Sequence, residues 1–239
     1  MAGRYVIAAL MFLASASAGA QSEDSDFSTK EIRAITYGYA KCIVGRHATK
    51  ASQALIENVD NSVLLRRYPM LIDGQCLVNE LAGGGTMKFT GDLYRYALAD
   101  VLVKRELAAA PAPVLDGVPR LEARSLPERP QPLAPDAKKS ARRKHDAALK
   151  SFDRAAAYHF LGGYGECVVR VDPAGAKSLL LTKPDSTEES ASFSSLRPAF
   201  STCLPEGKTL QFGRVALRGT IAVNYYHLAH AARNRAVAP

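Results

Sequence analysis

His227 and His230 stand three residues apart near the C-terminus, and two imidazoles at i and i+3 can begin a metal site. No His-Glu-x-x-His motif accompanies them and no nearby carboxylate or thiolate completes a ligand set, so the pair reads as an exposed helix end beside Arg233 and Arg235. Serine-nucleophile chemistry would favour a Gly-x-Ser-x-Gly elbow, and the chain has none. Gly83-Gly84-Gly85-Thr86 has the glycines of a phosphate loop without its Gly-Lys-Ser/Thr ending, and reads as a loop tip. Paired carboxylates for glycoside cleavage cannot be located from spacing. Neither a metal nor a cofactor is expected.

Two arginines remain of interest. Arg95 and Arg218 each interrupt an apolar helical stretch, where a guanidinium must find a partner or reach water. One reading is structural, with ion pairs or hydrogen bonds to helix-end carbonyls. The other is anion recognition in a cleft between two halves of the chain, with Tyr39 and Tyr164 as companion binding residues.

The halves follow from the cysteines. Cys42 and Cys76 are 34 residues apart, and Cys167 and Cys203 are 36 apart. Aligning Cys42 on Cys167 matches residues 27–60 to 152–185 without a gap, with 8 identities in 34 positions. Among them are Gly38 on Gly163, Tyr39 on Tyr164 and Asp60 on Asp185; further on, Arg95 falls on Arg218 and Ala99 on Ala222. Self-similarity on this scale implies a tandem duplication.

The expected fold is mainly α, with two tandem modules of about four helices each spanning 27–107 and 136–235. Ser28-Thr29-Lys30-Glu31 has the form of a capping box, and Ile32, Ile35, Tyr39, Cys42 and Ile43 then recur on one helical face. A second helix is expected over Ala48 to Asn58. A third starts at Asp60 or Asn61 and is disturbed by Pro69, as its counterpart is by Pro198. A fourth runs from about Gly91 to Leu107, and from Arg214 to about Arg233 in the second copy. Met87-Lys88-Phe89 and Leu210-Gln211-Phe212 are expected to pair as one short two-stranded ribbon.

Each module is small enough for a lone core to be marginal, and an even cysteine number suits disulfide stapling. Four cysteines allow three connectivities. Duplication favours Cys42–Cys76 and Cys167–Cys203, because a single ancestral module would have held its own pair. Between the modules, residues 108–135 hold seven of the thirteen prolines and should form an extended connector, a spacer or a strap over both halves.

Arg4, the apolar run Tyr5 to Ala14 and the small-residue pattern Ala18-Gly19-Ala20 read as a signal peptide over residues 1–20. Cleavage near Ala20 would leave a periplasmic or secreted chain with no membrane-spanning segment. It would carry about +7 of the formal +8, since Arg4 is the one charge removed. Between residues 137 and 154, seven Lys and Arg side chains face only Asp146 and Asp153, a local excess of +5. In an exported protein this argues against nucleic acid and towards an anionic envelope component or another envelope protein.

The tandem cysteine-pair pattern, carried by Tyr39 to Val44, Gly163 to Val169 and the run from Cys203-Leu204 to Arg218, resembles a family of exported bacterial proteins with a two-cysteine helical repeat. The resemblance implies location and architecture, and carries over no activity and no functional residue. A non-enzymatic extracytoplasmic binding protein is the leading expectation. The competing one is an enzyme acting on an envelope polymer between the two modules.

Overall fold

A computed structural model of the chain describes residues 29–58, 61–80, 92–206 and 212–237. The expected signal peptide, the Gly83–Gly85 loop, Asp60 and most of the expected ribbon lie outside the described residues. Among the described residues every regular element is helical.

Helix α1 (Thr29–Ile56) is two helices joined at a kink, because His47 leaves helical geometry at φ −133° and ψ 37°. The second half separates the corresponding pieces outright. Helix α5 (Lys139–Val171) stops at Asp172, the residue matched to His47, and α6 (Pro173–Leu181) starts there. Asp172 accepts a hydrogen bond from the Gly175 amide at 2.7 Å, and Pro173 fits a first helical turn, where its missing donor costs nothing.

The third expected helix of each half is divided by its proline. In the first half, α2 (Asn61–Arg67), a 3₁₀ turn (Pro69–Leu71) and α3 (Gly74–Glu80) follow one another. In the second, α7 (Thr187–Ser195) gives way to α8 (Arg197–Cys203), with Pro198 in the first turn of α8. Proline ends one helix and is then accommodated at the start of the next. Helix α4 (Leu93–Leu102) continues into wider π-type turns over Val103–Leu107, and α9 (Arg214–Val237) closes the chain.

Two disulfides staple the chain, Cys42–Cys76 joining α1 to α3 and Cys167–Cys203 joining α5 to α8. Beside each bridge a tyrosine binds backbone one turn before the second cysteine. The Asp73 amide donates to the Tyr39 hydroxyl at 3.0 Å, and the Tyr164 hydroxyl donates to the Phe200 carbonyl at 3.0 Å. Both rings are buried, so both hydroxyls needed such a partner.

Helices α4 and α9 form the centre, α4 packing on α1 and α9 on α5, and one hydrophobic cluster runs through all four. Their approach depends on Gly219, where a Cβ would lie 2.2 Å from the Tyr96 ring. Gly219→Ala is therefore expected to destabilise the fold by about 1–3 kcal/mol through overpacking. A lower urea midpoint with an unchanged slope is the signature to look for.

Residues 108–138 cross both halves without regular structure, and they are pinned. Arg170 donates to the carbonyls of Val118 and Pro119, Lys177 to that of Ala110, and Arg235 to that of Asp116. The prolines keep this strap extended, and its free carbonyls become acceptors for basic side chains on the helices beneath. The first half of α5, by contrast, is solvent-exposed along most of its length, because a helix polar on nearly every side has little to bury. Among the described residues no helix is long and apolar enough to cross a membrane.

Candidate functional site

The matched arginines sit in different surroundings. Arg218 is 3% exposed and spends every donor inside the protein. It donates to the carbonyls of Leu179 (2.9 Å), Leu180 (3.0 Å) and Thr182 (3.0 Å), closing the C-terminal end of α6. It also pairs with Asp100 of α4 at 2.9 Å and Glu189 of α7 at 3.0 Å. Arg33, from α1, reaches the same cluster and meets Glu189 and Asp185 at 2.5 Å each. Lys104 lies 3.5 Å from Asp100 and donates to the Tyr37 hydroxyl.

Three cations thus face three carboxylates across the two halves, beside a cavity of only about 40 Å³. Burial works to raise the Glu189 carboxyl, but bonds from Arg33 and the Asp185 amide and the charges of Arg33 and Arg218 outweigh it and hold it below its ordinary range. Glu189 also accepts from the Asp185 amide while Ser186 accepts from the Glu189 amide, a reciprocal cap on α7. This cluster is a staple, with no room for a ligand.

Arg95 lies elsewhere, on a cleft of about 410 Å³ bounded by α4, α5, α9 and the strap. Asp92, 3% exposed, receives both guanidinium nitrogens of Arg124 from the strap and lies 3.9 Å from Arg95 Nε. Glu166 accepts from the Leu121 amide and from Arg170, which fixes the opposite wall. Asn224 donates to the Gly162 carbonyl at 3.1 Å, and Thr220 to that of Leu161 at 2.8 Å, so the side of α9 facing α5 is rigid. The rings of Tyr96 and Tyr158 meet edge to face, centroids 6.4 Å apart.

His227 belongs to this cleft and was missed. The sequence reading has it on an exposed helix end, whereas the structure half-buries the residue and encloses its Nε2. The signal available was the run of α9 itself, where Ile221, Ala222, Tyr225, Tyr226, Leu228 and Ala229 are all buried. A helix apolar on nearly all sides is central, and its polar residues are then buried too. His230 faces another way, 3.7 Å from Glu106, with its ring tilted against that of Tyr226 at 4.4 Å between centroids. The two imidazoles do not converge, and no metal-holding group of His, Cys, Asp and Glu occurs among the described residues.

Burial pushes the His227 pKa down to about 4, helped by the charges of Arg95, His230 and Arg124 and opposed by a hydrogen bond to the Leu55 backbone. Nε2 is enclosed and has no hydrogen-bond partner among the described residues.

This geometry carries a pH prediction. Between about pH 6.5 and pH 4 the unfolded imidazole takes a proton that the folded one refuses, so stability is intact above pH 6.5 and falls as the solution is acidified. The expected loss is on the order of 3 kcal/mol across that window. His227→Phe should flatten it, which denaturation midpoints measured at several pH values will show.

The structure thus brings Arg95 to the cleft, commits Arg218 to the staple, and ties Tyr39 and Tyr164 to backbone. Asp185, with φ 62°, pairs with Arg33. No family model matches the chain, and no curated protein or solved structure is significantly similar to it.

Proposed function

We propose that this chain is an exported, non-enzymatic binding protein of the cell envelope and that the cleft between its halves holds the ligand. The observation that carries the reading is the polar cleft of about 410 Å³ where the two halves and the strap meet, with exposed Ser125, Ser151 and His159 on its lining. An oxidising compartment agrees with the two disulfides, and residues 1–20 supply the export signal. Tandem duplication of a two-cysteine module, as in the exported bacterial family it resembles, accounts for the matched bridges and for the paired contacts of Tyr39 and Tyr164.

The competing enzymatic reading needs an activated nucleophile or an acid–base pair. Two of the three carboxylates on the cleft are engaged instead: Arg124 clamps Asp92, and Arg170 with the Leu121 amide holds Glu166, while Glu122 is an exposed residue of the strap. Binding is what these fixed, mutually neutralised groups support.

Co-sedimentation of oxidised residues 21–239 with purified envelope polymers tests the proposal, alongside a plugged variant. Gly162 lines the cleft and a Cβ there meets nothing within 4 Å, so Gly162→Phe should fill the space without harming the fold. Polymer binding that disappears in Gly162→Phe at unchanged Tm is expected. Binding indifferent to the plug, or release of cleaved fragments from the polymer, overturns the assignment.

A further inference from the structure

Helix α5 begins at Lys139. The matched region begins at Phe152, so Lys139 to Ser151 precedes it as further turns of the same helix. Lys139, Arg143, Lys150 and Arg154 follow at i, i+4, i+11 and i+15, which a helix of 3.6 residues per turn places within one stripe, and Asp146 at i+7 joins them, leaving four cations against one carboxylate. All four are exposed. The stripe is about 22 Å long at 1.5 Å per residue. Arg154, at its inner end, is also a wall residue of the cleft.

A track of positive charge therefore leads into a cleft of different character. Inside, Asp92 faces both Arg124 and Arg95, Glu166 pairs with Arg170, and His227 is neutral. What the cleft offers is the exposed polar groups of Ser125, Ser151 and His159 and the half-buried ring of Tyr158. Hydroxyls matched to polar side chains, and a carbon-bound face against an aromatic ring, are what a sugar ring requires. The outer track requires negative charge repeated along a chain.

We propose that the ligand is an acidic polysaccharide, one unit seated in the cleft and its acidic neighbours laid along the Lys139–Arg154 stripe. This rests on the cleft being the binding site and adds the chemistry of what fills it. The charge on α5 alone would suit any polyanion, and the cleft alone any small polar molecule. Their continuity at Arg154 selects a chain that is both anionic and hydroxylated.

Fluorescence anisotropy with labelled oligogalacturonate, a polyuronic acid, tests it, with dextran, inorganic polyphosphate and phosphatidylglycerol vesicles as comparators. Oligogalacturonate should bind and lose affinity as salt rises, because exposed charges are screened. Replacing Lys139, Arg143 and Lys150 together by Gln should weaken it about tenfold, three exposed pairs each contributing modestly. Gly162→Phe should abolish it. Should dextran bind equally well and the triple variant change nothing while Gly162→Phe still abolishes binding, the acidic assignment fails and the cleft reading survives. Should polyphosphate or vesicles match oligogalacturonate and Gly162→Phe leave binding intact, the stripe is a general anion surface and this proposal is overturned.

Discussion

Arg218→Met is expected to destabilise the protein by about 3–5 kcal/mol, the range for breaking a buried ion pair by removing one partner. Asp100 and Glu189 stay behind at 4% and 0% exposure. Lys104 at 3.5 Å and Arg33 at 2.5 Å still face them, which keeps the loss from being larger. The carbonyls of Leu179, Leu180 and Thr182 also lose the guanidinium that closes α6. Against a total stability of about 5–15 kcal/mol this is a large share. Urea denaturation will read it as a falling midpoint. Adding Asp100→Leu to Arg218→Met should recover part of the loss, since one uncompensated charge goes with its partner. A variant with unchanged melting would contradict the staple and return Arg218 to the set of ligand-binding residues.

Removing the disulfides should have the second large effect. Each bridge closes a loop of 34 or 36 residues, worth about 4 kcal/mol in the chain-entropy account. Cys42→Ser with Cys76→Ser should therefore lower stability by about 4 kcal/mol, and reduction of both bridges should leave little or no folded protein. The expected result is loss of the cooperative melting transition in reductant, restored by reoxidation. An unchanged transition with all four thiols reactive would undo the link between stapling and an oxidising compartment.

Much of the helical plan is written in neighbouring residues. Proline restarts, the Ser186–Glu189 cap and the apolar stripes from Tyr39 to Ile43 act within a turn or two, so they can be read locally. The kink at His47 also falls at the residue matched to Asp172, where α5 gives way to α6. What could not be read depends on how the halves dock. Arg33 has no matching arginine, since Tyr158 occupies its counterpart position, and its partners Asp185 and Glu189 are more than 150 residues away. Arg95 and Arg218 match in sequence yet diverge in use, because Asp100 and Glu189 flank only one of them. The cleft combines α4, α5, α9 and the strap, and no short-range pattern reports that meeting. His227 differs from these, because the apolar residues on nearly every side of α9 already mark that helix as central.

The most direct test of the cleft is the amide spectrum of isotopically labelled, oxidised protein titrated with oligogalacturonate at neutral pH. Amides of Tyr158, His159 and Leu121 on the cleft should shift, while those of Arg33 and Glu189 at the staple stay in place. Shifts confined to Lys139–Lys150 on the exposed face of α5, or no shifts at all, would contradict a site in the cleft.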